Sequence, residues 1–247
     1  MSAPRFHCPD GLEAGDVNSE YVLPDAAAHH ALRVLRLAVG DRVTLFTGTG
    51  GEFAATLIRA DKRNAVVRID SFDPVERENT LAMTLVQGIA ANDAMDHTVR
   101  KSVELGVAVI QPVLTSRSAR MPDGERGEKR LAHWRQIVVA ACEQCGRNRI
   151  PEVRGAVALE RWLVARSVAA SGLVLSPIAD ASLIDAPRPQ DALDLLIGPE
   201  GGLTSDEVDH AQHAGMTAAR LGPRVLRTET AALAALATIN ATWGDFR

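Results

Sequence analysis

Ile197-Gly198-Pro199-Glu200-Gly201-Gly202-Leu203 is the stretch on which the fold turns. The apolar run 193–197 before it reads as a buried strand. The residues after it, Thr204-Ser205-Asp206-Glu207, carry capping-box spacing and read as a helix start. Pro199 fixes one backbone angle, and Gly201 and Gly202 permit positive φ and close approach to a ligand. No Gly-Lys-Ser/Thr follows and the G-x-G-x-x-G spacing is absent, so the usual phosphate loops do not fit. Taken alone, the loop is either an ordinary strand-to-helix turn or a loop offering main-chain groups to a flat polar ligand such as an adenine edge. A second glycine loop follows, Leu221-Gly222-Pro223-Arg224-Val225-Leu226, and leads through Arg227-Thr228-Glu229-Thr230 into an alanine-rich helix over 230–242. The free N–H groups of that helix start favour anions, and Arg227 could orient an anionic backbone. Glu229 is equally well a favourable acid of the first turn. Two such loops, each between a strand and a helix, point to a ligand pocket at strand ends of an open α/β sheet.

Working outward, strands (81–87, 107–114, 172–175, 193–197) alternate with helices (93–105, 129–145, 159–169). That alternation predicts a mostly parallel sheet covered by helices over 78–247. The polar, proline-bearing stretch 71–80 separates it from an N-terminal part of different pattern. There the short runs 42–46, 52–58 and 65–69 read as strands, with 47–51 as a turn and a helix over 25–35 before them. Residues 1–73 are therefore expected to form a small β-barrel domain.

Composition removes several functions. No apolar run approaches the ~20 residues of a membrane helix, and the N-terminus lacks a signal core, so a cytoplasmic protein is expected. Three cysteines cannot build a disulfide framework. Aromatics are only 4%, which disfavours base-stacking platforms. The net charge of −4 argues against nonspecific nucleic-acid binding. Locally, however, 117–154 holds nine basic against five acidic residues, an excess that either contacts phosphates or solvates a helix face. Cys142-Glu143-Gln144-Cys145 has C-x-x-C spacing but lies at a helix end without further ligands nearby, so packing cysteines and no metal are expected. His29, Arg33 and Arg36 fall at i, i+4, i+7 on the first helix, either an RNA face or an exposed polar one.

Four motifs in order then carry a resemblance: Lys101-Ser102-Val103-Glu104-Leu105-Gly106-Val107, Glu143-Gln144-Cys145-Gly146-Arg147, the 197–202 loop, and 221–231. Together they resemble the RsmE family of 16S ribosomal RNA uridine-N3 methyltransferases, in the SPOUT superfamily. His29-His30 with Val34-Leu35-Arg36 and Gly40-Asp41 is similar to that family's PUA-like RNA-binding domain. The resemblance implies a SPOUT domain with a trefoil knot, a homodimer, 16S rRNA of the small subunit as partner, no membrane, and S-adenosyl-L-methionine as cofactor. By motif match the cofactor residues are Leu175, Pro177, Gly198, Pro199, Glu200, Gly201, Gly202, Leu221, Gly222, Pro223, Val225 and Leu226. Arg33, Arg36, Arg117, Arg147 and Arg149 are expected to grip RNA. Arg227 is the candidate for holding phosphate or the developing uracil anion, and Glu229 or Glu200 for accepting the N3 proton. The family usually carries basic residues after the first strand of its knotted domain, where this chain has Ala91-Asn92-Asp93-Ala94. A SPOUT enzyme acting on another RNA position, or a noncatalytic RNA-binding assembly factor, are the alternative readings.

Overall fold

The computed structural model describes residues 3–61, 64–122, 124–167 and 170–246. The chain divides into two compact units, 1–78 with 142–150, and 79–141 with 151–247. Residues 142–150, which the sequence pattern places in the second part, group with the first.

The first unit holds β1 (Arg5–His7), β2 (Glu20–Val22), α1 (Asp25–His29), β3 (Arg42–Phe46), β4 (Glu52–Ala60) and β5 (Ala65–Asp73). They form one mixed sheet in the order β1-β3-β4-β5-β2, β1 lying parallel to β3 and the rest antiparallel. Val43, Leu45, Phe53, Ala55, Leu57, Val67 and Ile69 alternate along β3–β5 and pack with Phe6, Ala28 and Ala31 into one core. Register shifts at Ala54/Ala55 and Leu57/Arg59 bend the β4–β5 pair, as bulges do. β1 and β2 escaped the sequence reading because three-residue edge strands carry too little alternation to be seen.

The expected helix over 25–35 is shorter. After α1 the chain makes a π-helical turn, His30–Val34, in which the Leu35 N–H donates to the His30 carbonyl. Arg36 then sits at φ +56. The extra residue in the turn breaks the i, i+4, i+7 face expected for His29, Arg33 and Arg36, so Arg36 lies outside the helix.

The second unit holds β6 (Ala82–Gly88), α2 (Asn92–Glu104), β7 (Val109–Leu114), α3 (Glu125–Cys145), β8 (Glu152–Val153), β9 (Val157–Ala158), α4 (Leu159–Ala165), β10 (Ser171–Leu175), β11 (Ala192–Ile197), α5 (Ser205–His213), β12 (Thr217–Ala219) and α6 (Thr228–Thr242). The last four residues of α3 belong to the first unit. The expected helix over 159–169 ends at Ala165; its residues 168 and 169 lie outside the described residues. The strands run in the order β12-β10-β11-β6-β7-β8, with β9 also on β7, and every pairing is parallel. Leu85, Val86, Leu195 and Leu196 are fully buried in its middle, as a sheet covered on both faces requires. α4 and α5 cover one face through Leu159, Trp162, Leu163 and Ala211 on Val86, Val174 and Leu196. α6 packs on α2 and β11. Asn240 on α6 donates to the Leu105 carbonyl and accepts from Asn79 at 2.6 Å, pinning that helix by a buried polar tie. The chain thus runs out to the edge at β12 and doubles back to the middle of the sheet as α6. This is the α/β, SPOUT-type architecture, with a PUA-like unit before it, that the motifs imply.

Candidate cofactor and RNA site

Because β10, β11 and β12 are parallel neighbours, their ends at Leu175, Ile197 and Ala219 emerge at the same edge of the sheet. The three loops that follow surround a cleft of about 270 Å³. Leu175, Pro177, Leu221 and Leu226 give it apolar walls, while Ser176, Glu200 and Thr228 add polar groups. The loops after β10 and β12 are tied together: the Leu183 N–H donates to the Arg220 carbonyl at 3.0 Å, and the Arg220 N–H to the Ala181 carbonyl at 2.9 Å.

The 198–202 loop is held on several sides. Gly202 donates to the Pro199 carbonyl at 2.8 Å and takes φ +69, a left-handed conformation natural to glycine. A Cβ on Gly198 would lie 2.7 Å from the Leu203 nitrogen, so the fold of the turn itself requires glycine there. Arg117 donates to the Gly201 carbonyl at 2.8 Å. The Glu200 carboxylate accepts the Ala91 N–H at 2.8 Å, at the N-terminus of α2. Thr228 donates to the Gly198 carbonyl at 2.6 Å. After the loop, Thr204 and Glu207 form the reciprocal capping box expected from the sequence, and the Glu207 carboxylate also accepts the Ser116 N–H at 2.7 Å. Burial alone would raise the Glu207 pKa, but these N–H donors outweigh it and hold the carboxyl below its ordinary value.

Of the residues expected to hold the cofactor, all line this cleft except Gly222 and Pro223, which form the exposed turn of the third loop. Arg227 and Glu229 do not line it. Arg227 is the exposed N-cap of α6 and Glu229 lies in its first turn; Thr228, between them, is buried and lines the cleft. The cofactor loops expected by motif match span Ser176 and Arg224 but do not reach Gln87, Arg220 or Thr228. The available signals were a polar residue closing an otherwise apolar strand, for Gln87, and the hydroxyl inside the Arg227–Thr230 motif, for Thr228.

The RNA residues separate. Arg117 borders the cleft and braces Gly201. Arg149 is half exposed and pairs with Glu76 at 3.0 Å. Arg147 is a correction: its side chain is 5% exposed and its guanidinium is paired with Glu78, so it is an internal structural cation and not an RNA grip. Arg130 is also spent internally, on the Ala90 carbonyl and over the Trp134 ring, while the exposed Arg135 reaches the Val153 carbonyl at 3.3 Å. The Cys142 thiol is buried, which pushes its pKa up to about 12 and makes it inert. Among the described residues no group of three or more His, Cys, Asp or Glu is placed so that it could hold a metal ion.

Two family models match the chain in succession. The family described as RNA methyltransferase domain matches residues 77–240, and the RNA methyltransferase PUA domain matches 23–70. Ribosomal RNA small subunit methyltransferase E of Buchnera aphidicola is 30% identical over 246 residues, covering 99% of this chain and 95% of the relative. The chain belongs to the ribosomal RNA small subunit methyltransferase E family. The crystal structure of a family member from Neisseria gonorrhoeae, bound to S-adenosyl methionine, is 40% identical with a TM-score of 0.92 over 100% of both chains. A Legionella pneumophila structure with the cofactor SAM bound is 37% identical with a TM-score of 0.93, again over 100% of both. Ala91, in the Ala91–Ala94 stretch, acts through its backbone, as the N–H that holds Glu200. Among the described residues no helix is long and apolar enough to cross a membrane.

Proposed function

We propose that this chain is an S-adenosyl-L-methionine-dependent methyltransferase that methylates N3 of a uridine in 16S ribosomal RNA of the small subunit, acting in the cytoplasm as a homodimer. The observation that carries the reading is the single cleft where the loops after β10, β11 and β12 meet. Its residues fit the cofactor. Leu175, Pro177, Leu221 and Leu226 offer apolar walls to a flat ring, and the glycine turn offers main-chain groups to its polar edge. Gly202 leaves open space where a side chain would stand. When bound, S-adenosyl-L-methionine supplies an electrophilic methyl group.

The chain's own residues must do the rest. A uracil N3 carries a proton and is a poor nucleophile until it leaves, so the site must align the base and receive that proton. Glu200 and Glu229 are the carboxylates carried by the two glycine-loop motifs. Glu200 lines the cleft but already accepts the Ala91 N–H. Glu229 is half-buried in the first turn of α6. Arg117, Arg220 and Arg224 border the cleft and supply positive charge for RNA phosphate or the developing uracil anion. Arg227 is exposed beside them at the α6 N-cap. Arg33, Arg36 and Arg149 remain the grips on RNA outside the cleft. The homodimer reading is supported by Ile178, Ile184 and Val225, which are 82%, 62% and 83% exposed on the two loops that pair through Ser182 and Arg220.

Incubating the purified protein with small ribosomal subunits lacking the modification and methyl-labelled cofactor tests the reaction. Mass spectrometry of the digested rRNA is expected to show 3-methyluridine at one position. A different methylated nucleoside would favour another RNA position, and cofactor binding without any transfer would favour a noncatalytic RNA-binding assembly factor.

A further inference from the structure

Gln87, next to last in β6, is a fully buried polar side chain in the middle of the parallel sheet. Its Nε2 donates to Thr228 Oγ1 at 3.0 Å, to the Gly88 carbonyl at 2.9 Å, and more weakly to the Gly198 carbonyl at 3.4 Å. Thr228 Oγ1, having accepted from Gln87, donates its own proton to the Gly198 carbonyl at 2.6 Å. The donor-acceptor order is therefore fixed along the chain Gln87, Thr228, Gly198, with one direction of each proton. Thr228 is 4% exposed and lines the cleft, whereas Gln87 lies behind it and lines none of the wall. The end of β6 is pressed against the same loop: a Cβ on Gly88 would lie 2.6 Å from Pro199 Cδ and 2.7 Å from its nitrogen.

These contacts join three segments that are far apart in sequence. β6 supplies the amide, the loop after β11 supplies the carbonyl, and the loop after β12 ends at the hydroxyl. The two loops form opposing parts of one cleft, yet the capping box and the Arg117 and Glu200 bonds all act on the 198–207 side only. Thr228 is where the third loop is fastened to the second. We infer that Gln87 and Thr228 are positioning residues that set the spacing of the glycine loop and the 220–227 loop, and so control affinity for the cofactor without serving as catalytic residues.

Without the Thr228 hydroxyl the Gly198 carbonyl keeps only the long 3.4 Å contact from Gln87, so the fastening between the two loops is lost and their spacing loosens. The inference rests on the reading of the cleft as the S-adenosyl-L-methionine site, and the test separates the two. Titration calorimetry with S-adenosyl-L-methionine is run on the full chain, on Thr228→Val, Thr228→Ser and Gln87→Met, beside a filter-binding measurement with 16S rRNA. The expected result is a Kd for the cofactor raised about 10- to 100-fold by Thr228→Val. Thr228→Ser, which keeps the donor, restores it to within about threefold, and RNA affinity stays within about twofold throughout. Gln87→Met weakens the cofactor by less than Thr228→Val, and the double variant Gln87→Met/Thr228→Val is no worse than Thr228→Val, because the two act through one carbonyl. Thr228→Val binding the cofactor like the natural chain overturns the inference, as does a loss that Thr228→Ser fails to rescue or that falls equally on RNA. Should Thr228→Val not fold, the same criterion is applied to Gln87→Met, where unchanged cofactor affinity overturns it. A natural chain that does not bind the cofactor at all overturns the reading of the cleft instead.

Discussion

Two single residues show how charge is used in this protein. Arg147 looks from its motif like a free basic residue, yet it is an internal partner of Glu78. Removing Arg147 leaves the half-buried Glu78 carboxylate without its cation and empties a buried site, at a cost of about 1–3 kcal/mol. Arg147→Met is therefore expected to lower the urea midpoint markedly while the folded fraction binds 16S rRNA as before; a selective loss of RNA affinity at unchanged stability would restore Arg147 to the RNA surface. Glu207 is the second case. Its carboxylate receives the Ser116 and Thr204 N–H groups, and its pKa is depressed in the folded chain. A depressed carboxyl contributes its stability above its ordinary value of 4.5 and loses it as pH falls through the lower folded value. Glu207→Ala is expected to cost about 1–3 kcal/mol at pH 7 through the lost cap and the stranded Ser116 N–H. Thermal melts at pH 7 and pH 3 check this, the gap between variant and natural chain narrowing at the lower pH.

At the level of elements, what could be read from the sequence followed the length of the pattern. The capping box at Thr204–Glu207, the strand 193–197 and the alanine-rich last helix each repeat a local rule several times, and each is present. The π-helical turn at His30–Val34 has no such signature, and it moved Arg36 off the face it was expected to share. β12 is three residues long, so the strand expected ahead of the second glycine loop has no readable bounds in the sequence, although its end supplies one wall of the cleft. The glycine loop was legible as special but not why each glycine is needed, since that depends on which backbone lies against it. Gly198 faces the Leu203 nitrogen, whereas Gly202 has nothing within 4 Å of a Cβ and only a positive φ. Gly198→Ala must open the turn and is expected to weaken cofactor binding at least about tenfold. Gly202→Ala meets only the left-handed strain of about 1–2 kcal/mol and is expected to weaken it less. Calorimetry on the pair checks the order; the reverse order would mean that the loop is organised around Gly202.

At the scale of the whole molecule, the site is a consequence of topology. Three parallel strands end side by side, so loops separated by some fifty residues converge, and no local pattern announces that convergence. The motifs supplied the loop residues because their glycines and prolines mark sharp turns. They include Thr228 without giving it a role and do not include Gln87, because the importance of both lies in a contact 141 residues apart along the chain. The same limit explains 142–150. Its Glu143 accepts the His7 N–H at 3.0 Å and its Asn148 accepts from Arg5 at 2.6 Å, long-range contacts that draw the segment into the first unit. The most direct test of the central claim is hydrogen exchange by mass spectrometry with and without S-adenosyl-L-methionine. Slowed exchange confined to 175–177, 198–203 and 220–228 is the predicted result. Protection elsewhere with these three segments unchanged would contradict the assignment of the cleft.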